Sequence, residues 1–147
     1  MSKVQIIYGT TGGNTEIVVD KISEVLSEKA EVIVTRAEEF DINDINKSDL
    51  LILASPTYGH GILQREMIPF YNKLIMQDLK GQKSAVVGLG DSKYEINYMF
   101  KSAQILEEAL EKINAKLVCP SLKINASPIP FLDNRVKLWA QGLFDHL

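Results

Sequence analysis

Short, nearly uninterrupted apolar runs alternate along this chain with segments whose apolar residues recur at helical spacing. This alternation restricts the fold more than any other feature. The runs cover residues 4–8, 32–35, 50–54 and 85–89, with a weaker one divided between Leu117 and residues 122–124. Runs without polar interruptions are typical of strands that are covered by helices on both faces. The pattern therefore predicts five short strands in a parallel sheet.

Amphipathic helices are predicted between and after the strands, because apolar residues there lie three and four positions apart. One of them is expected to begin near Pro69, because proline suits the first helical position. Their inward-facing residues are expected to be Val18, Ile22, Val25 and Leu26; Phe70, Leu74 and Ile75; Met99, Ala103, Leu106, Leu110 and Ile113; and Val136, Trp139, Leu143 and Leu147. The segment 41–49 offers at most a small helix.

Strands that alternate with helices predict an α/β fold, a three-layer doubly wound domain around a five-stranded parallel sheet. A length of 147 residues suits one domain over residues 1–147. Folds of this class bind ligands beyond the carboxyl ends of their strands. Three chemically unusual loops leave those ends: GTTGGNT at 9–15, SPTYGHG at 55–61 and GLGDSKYE at 88–95.

Composition argues against several classes of function. The net charge is −3 and no basic cluster stands out, so nucleic acid is not an expected partner. The single cysteine, Cys119, cannot form an intrachain disulfide and is expected to be a small apolar filler. With two histidines in the chain, no metal site is expected. Neither a signal peptide nor a membrane span is recognisable, which predicts a cytoplasmic protein.

The first loop has the composition of a phosphate site. The amino end of a helix presents unpaired N–H groups and a positive dipole end, so it can hold a phosphate without a cationic side chain. Gly12 and Gly13 let the backbone curl around the oxygens, and the three threonines supply hydroxyl donors. Asn14 can cap the helix or reach the ligand. The alternative is an ordinary strand-to-helix turn with Thr or Asn as N-cap.

Two nucleotide motifs do not fit the loops. A triphosphate loop requires Lys after its last glycine, where this chain has Asn14. A dinucleotide loop requires G-x-G-x-x-G after the first strand, and Gly9, Gly12 and Gly13 have a different spacing. A monophosphate is therefore the better interpretation.

Each of the other two loops carries a tyrosine beside flexible turn residues, Tyr58 and Tyr94. Either one alone is more often a half-buried surface aromatic, but together they could enclose a flat ring by stacking. With this pair, the segments YGTTGGNTE, SPTYGHG and GLGDSKYE resemble, in order and spacing, the three flavin mononucleotide (FMN) loops of short-chain flavodoxins. The resemblance covers essentially the whole chain.

The resemblance implies a strand order of 2-1-3-4-5 and a noncovalently bound FMN. The implied phosphate contacts are Thr10, Thr11, Gly12, Gly13, Asn14 and Thr15. The implied contacts at the inner ring face and its N5 edge are Thr57, Tyr58, Gly59, His60 and Gly61; at the pyrimidine edge, Leu89, Gly90 and Asp91; and on the outer face, Tyr94.

The chain departs from the flavodoxin pattern at three points. Gly12 stands where related loops commonly have a third hydroxyl residue, which shifts phosphate binding toward backbone donors. Tyr58 and His60 stand where the family often has Trp and acidic residues. The overall acidity is also weaker than is usual in the family.

The function implied is that of a low-potential one-electron carrier, passing between oxidised, semiquinone and hydroquinone states. A phosphate without a cationic partner, tyrosine faces and Asp91 all oppose a second negative charge on the flavin. Gly59 is the expected site of a peptide flip toward the flavin N5, because glycine tolerates positive φ. The expected partners are a reductase donor and an acceptor enzyme, with the carrier a monomer.

Two other functions fit the sequence less well. The first is an FMN-dependent oxidoreductase acting on a quinone, nitro compound or nicotinamide; the chain is short for that role and has no second nucleotide motif. The second is a phosphoryl-accepting receiver domain of the same sheet topology. A receiver requires acidic residues at the end of the first strand and an Asp at the end of the third. This chain has Tyr8 with Gly9 at the first position and Ala54 with Ser55 at the second.

Overall fold

The computed structural model describes residues 1–58, 62–90 and 99–147, with the backbone alone described at Tyr58 and Ile62. The strands are β1 (Ser2–Tyr8), β2 (Ala30–Arg36), β3 (Leu50–Tyr58), β4 (Ile62–Leu63), β5 (Lys83–Gly90), β6 (Lys116–Leu117) and β7 (Leu122–Asn125). The α-helices are α1 (Asn14–Leu26), α2 (Met67–Leu74), α3 (Lys101–Lys112) and α4 (Lys137–Gly142). Short 3-10 turns lie at Ala37–Glu39, Ile42–Asp44, Ile129–Phe131 and Leu143–His146, and a π-helical turn lies at Leu132–Val136.

The sheet has the expected strand order. β2, β1, β3 and β5 lie side by side, followed at the far edge by β6 and β7, and every one of these pairings is parallel. Since β5 is the fourth predicted strand, the order is 2-1-3-4-5. The small helix expected within residues 41–49 is the 3-10 turn Ile42–Asp44.

The fifth strand is divided as expected, into β6 and β7, because the four residues 118–121 lie opposite the two residues 85–86 of β5. Pro120 within that segment has no N–H for the ladder. One detail of the sheet differs from the prediction: β4 is an additional short strand that pairs antiparallel with the end of β3, Thr57 opposite Leu63.

Apolar side chains alternate between the two faces of the sheet and form two cores. On β1 and β3, one face carries Val4, Ile6, Leu50 and Ile52, packed with residues of α1 and α4. The opposite face carries Ile7, Leu51 and Leu53, packed with residues of α2 and α3. This double coverage explains why the strand sequences are almost continuously apolar, and it confirms the three-layer prediction.

The helix α2 begins two residues earlier than expected. Met67, Phe70 and Leu74 are its buried residues, at spacings of three and four. Pro69 lies in the first turn, where a missing N–H breaks no intrahelical bond. The prediction that Ile75 faces inward is wrong: Ile75 follows the last helical residue and is 42% exposed.

The C-terminal segment packs against the α1 side of the sheet. Val136 and Leu143 are buried there as expected, and Trp139 packs against the same cluster. The Trp139 indole donates a hydrogen bond to the Pro120 carbonyl at 3.0 Å, which joins α4 to the divided fifth strand. Cys119 is half-buried against this cluster, and burial raises the pKa of its thiol, which fits the expected filler role.

Among the helices of the described residues, none has the length and apolar character that crossing a bilayer would require.

The space around two glycines predicts opposite effects of an alanine substitution. Gly88 lies where α3 packs closely on β5, whereas Gly142 lies in open space at the end of α4. A Cβ added at Gly88 would lie 2.7 Å from the Ala103 Cβ, so Gly88→Ala is expected to lower the free energy of unfolding. The expected loss is about 1–3 kcal/mol. Gly142 has helical φ of −60° and open space around its Cβ position, so Gly142→Ala should stabilise the protein slightly. Urea unfolding of both variants measures this, and an unaltered Gly88→Ala protein would contradict the packing.

Candidate functional site

The loop after β1 leaves the sheet beside the end of β3. Tyr8 lies opposite Ala54 in the parallel ladder, and the Gly9 N–H continues the pairing by donating to the Ala54 carbonyl at 3.1 Å. The chain then turns, and α1 begins at Asn14 with Gly13 as its N-cap. Gly13 has φ of 90°, a left-handed conformation that favours glycine.

The amino end of α1 has no capping side chain of its own. The N-cap residue is Gly13, while Asn14 lies inside the helix. Thr10 Oγ1 accepts a hydrogen bond from the Gly13 N–H at 3.0 Å, which holds the loop in its curled shape. The N-cap is therefore Gly13, and the alternative prediction of an ordinary turn with Thr or Asn as N-cap is wrong. N–H donors at the positive end of α1 stay available to a ligand.

The hydroxyls of Thr10 and Thr11 both act as acceptors within the protein. Thr10 Oγ1 accepts from Gly13, and Thr11 Oγ1 accepts from the Gln64 side-chain amide at 3.2 Å. A hydroxyl that accepts a hydrogen bond still has its own hydrogen to donate. Both side chains can therefore act as donors toward a ligand without giving up these contacts.

The Thr15 hydroxyl is the most informative feature of the loop. Thr15 is 1% exposed, and its Oγ1 has no hydrogen-bond partner among the described residues. A buried hydroxyl without a partner costs about 1–3 kcal/mol, which calls for a reason other than packing. Thr15 is the second residue of α1, beside the unpaired N–H groups. The donor set as a whole fits an anion such as phosphate.

Thr11, Gly12 and Asn14 are the exposed members of the predicted phosphate contacts. A Cβ added at Gly12 would meet nothing within 4 Å, so a third hydroxyl side chain is not excluded there by crowding. The glycine leaves its backbone accessible instead.

A polar cluster lies on the other side of the first turn of α1. The buried Tyr8 hydroxyl donates to Glu16 at 3.1 Å, and Arg36 lies 3.7 Å from the same carboxylate. Burial of Tyr8 and its hydrogen bond to Glu16 raise the pKa of the Tyr8 phenol. Arg36 also contacts Glu38 at 3.5 Å. This cation is therefore shared by two carboxylates rather than directed at the loop alone.

Thr57, expected among the ring contacts, uses its hydroxyl inside the protein. Its Oγ1 accepts from the Ser102 N–H at 3.2 Å and lies 2.9 Å from Ser102 Oγ. Ser102 Oγ in turn donates to the Ser55 carbonyl at 3.2 Å. All three residues are buried. Thr57 thus caps the first turn of α3 from β3, and a ligand contact by Thr57 would have to use other atoms.

The third predicted segment begins at the end of β5. The Leu89 side chain is buried in the core, which leaves its backbone for any ligand contact. The Gly90 carbonyl accepts from the Ala126 N–H at 2.8 Å. A Cβ at Gly90 would collide with the Met99 carbonyl and lie 2.7 Å from Met99 Cγ, so glycine is required there. Pro56 lies opposite Leu89, which places the ends of β3 and β5 side by side.

The structure therefore brings the starts of all three predicted segments to one edge of the sheet. The remaining expected ring contacts fall outside the described residues: Gly59, His60, Gly61, Asp91, Tyr94 and the side chain of Tyr58.

Gln64 and Ser102 are buried polar residues of the site that were not predicted. Gln64 is completely buried beneath the first loop, although the charged pair Arg65 and Glu66 follows it directly. Its local sequence therefore offers no signal of burial. Ser102 lies on the buried face of α3, next to the predicted apolar residue Ala103, so a single polar residue in an apolar helical face was the available signal.

Two Thr→Val substitutions are expected to change stability in opposite directions in the ligand-free protein. Thr15→Val removes a buried hydroxyl that has no partner, and should raise the free energy of unfolding by about 1 kcal/mol. Thr57→Val removes a hydroxyl that is fully used by Ser102, and should lower it by about 1–3 kcal/mol. Urea unfolding measures both changes. A Thr15→Val protein less stable than the parent would show that this hydroxyl has a partner.

Comparison with known proteins identifies the family. The Flavodoxin family model matches residues 6–139. The flavodoxin of Maridesulfovibrio salexigens is 34% identical over 151 residues, covering 100% of both chains. Oxidised flavodoxin 1 of Bacillus cereus has a TM-score of 0.91 and 29% identity, with 99% of each chain covered. The flavodoxin of Fusobacterium nucleatum bound to flavin mononucleotide shares the fold, with a TM-score of 0.81 at 19% identity over 100% of this chain and 99% of that one. The chain belongs to the flavodoxin family.

Proposed function

We propose that this protein binds FMN noncovalently and passes single electrons, at low potential, from a reductase to an acceptor enzyme. Family membership supports the proposal, because flavodoxins are electron carriers rather than enzymes, and they exchange electrons with redox partners. FMN is the cofactor in the Fusobacterium nucleatum structure with the same fold. When bound, FMN supplies a ring system that accepts and returns electrons one at a time.

The observation that supports FMN binding most directly is the Thr15 hydroxyl at the amino end of α1, which is buried and has no partner in the part of the chain that the structure describes. Thr10, Thr11 and Thr15 each have a hydroxyl hydrogen to donate, and Gly13 leaves the helix end uncapped. We propose that these residues, with Gly12 and Asn14, hold the FMN phosphate. A terminal monophosphate suits this loop, because it has several donors and no lysine or arginine within it.

The ring contacts remain proposals at their predicted positions. Tyr58 and Tyr94 would stack on the two ring faces, with Gly59, His60 and Gly61 at the N5 edge and Leu89, Gly90 and Asp91 at the pyrimidine edge. In this arrangement Thr57 supports the inner segment through its contact with Ser102.

A low potential follows from the charges near the loop. Arg36 is paired with Glu16 and Glu38, so it does little to compensate a phosphate and a reduced ring. A further negative charge on the cofactor is then opposed, which lowers the potential of the second reduction.

The proposal extends to how the protein works in the cell. We infer that residues 1–147 form one domain, that it is a monomer, and that it is cytoplasmic. An electron carrier needs a surface that docks to its partner proteins and does not need a substrate pocket.

A ligand comparison tests the phosphate site. Riboflavin is FMN without the phosphate, so the ratio of the two dissociation constants isolates the phosphate contacts. Thr15→Val should weaken FMN binding by about tenfold, the size of one hydrogen bond to a charged group, while riboflavin binding changes little. Thr57→Val serves as the control, because it should affect the two ligands alike. Equal effects of Thr15→Val on both ligands would contradict the proposed phosphate contact.

Anaerobic reduction of the FMN-loaded protein tests the carrier function. Visible spectra should resolve two one-electron stages, and the protein alone should not oxidise NAD(P)H at a steady rate. Bleaching in a single two-electron step together with steady NAD(P)H oxidation would favour the FMN-dependent oxidoreductase instead.

A further inference from the structure

Gln64 lies between β4 and α2 and is 0% exposed, directly beneath the loop that follows β1. Burying a polar amide is costly unless its hydrogen bonds are satisfied. The Gln64 side chain satisfies them with three groups of its own segment and two groups of the loop. It is therefore a direct link between the loop and the start of α2.

The orientation of the Gln64 amide is determined by the backbone around it. Its Oε1 accepts from the N–H groups of Glu66, at 3.0 Å, and Met67, at 3.2 Å. Two N–H donors on one side require an oxygen there, so the amide nitrogen faces the loop. That Nε2 donates to the Thr10 carbonyl at 3.3 Å and to Thr11 Oγ1 at 3.2 Å, and it also contacts the Glu66 carboxylate.

These contacts determine what the loop can offer an anion. The Thr10 carbonyl, which would repel a phosphate oxygen, is turned toward Gln64. The Thr11 hydroxyl accepts from Nε2, so its own hydrogen is directed elsewhere. Because of Gln64, the loop presents the Thr11 hydroxyl hydrogen to a ligand and keeps the Thr10 carbonyl oxygen turned away from it.

The Gln64 side chain packs so closely against the loop that no side chain fits at Gly9. A Cβ added at Gly9 would collide with Gln64 Oε1 and lie 2.7 Å from Met67 Cγ. The absence of a side chain at Gly9 is thus what allows the glutamine to reach Thr10 and Thr11.

We propose that Gln64 is a positioning residue that sets the preference of the loop for a phosphorylated flavin over the same flavin without phosphate. It acts through Thr11 and the Thr10 carbonyl and does not touch the ligand. The inference rests on the proposed function, in which the loop holds the FMN phosphate.

The test compares Gln64→Met with the matched variant Gln5→Met. Gln5 is also buried and its amide also donates to a backbone carbonyl, that of Asp44 at 2.9 Å, but it lies in the middle of β1 away from the loop. Both variants should lose stability in urea unfolding. Gln64→Met should reduce the preference for FMN over riboflavin by about tenfold, whereas Gln5→Met should leave it unchanged.

A second variant, Gln64→Glu combined with Glu66→Gln, replaces the amide without placing two carboxylates in contact at this buried position. The new carboxyl group retains an oxygen for the backbone N–H groups of positions 66 and 67 but has no amide donor for the loop. The preference for FMN should fall in this variant as well.

The outcomes separate this inference from the proposed function. An undiminished preference for FMN in a folded Gln64 variant overturns the role of Gln64 and leaves the phosphate site intact. A parent protein that binds FMN and riboflavin equally overturns both, because the loop would then hold no phosphate.

Discussion

The amino end of α1 keeps its positive dipole end and N–H donors uncapped, and the rest of the site is arranged around that condition. Gly13 adopts a left-handed conformation that lets the loop curl over the helix, and it has no side chain to cap it. In the same turn, Thr15 buries a hydroxyl that has no partner within residues 1–58, 62–90 and 99–147. Together these features leave the free protein with unsatisfied donors, which an anion can satisfy. The site is thus preorganised at some expense of stability.

Buried polar side chains fix the position of the loops relative to the sheet. Gln64 joins the first loop to α2, and Ser102 joins the end of β3 to α3 through Thr57. Gln64 and Ser102 are both 0% exposed, so these hydrogen bonds have little competition from water. The edge of the sheet proposed to bind the ligand is therefore held by side chains that do not themselves need to meet it.

The layers of the fold could be predicted because apolar runs and helical stripes are local patterns. The strand order came from the resemblance to flavodoxins. By contrast, β4 and the burial of Gln64 depend on contacts between distant segments. Gln64 is buried because β4 folds back onto β3 and brings it under Gly9, 55 positions earlier (64 − 9). No pattern within the local sequence around Gln64 indicates that contact. Ile75 is exposed for a different reason: α2 ends one residue before it, although the apolar sequence continues.

The most direct test of the account is to follow the backbone amides of Gly13, Asn14 and Thr15 by NMR while FMN or riboflavin is added. If the uncapped end of α1 holds the phosphate, the amide protons of Asn14 and Thr15 shift strongly downfield with FMN and little with riboflavin. Equal shifts with the two flavins, or no shift with FMN, would contradict the account.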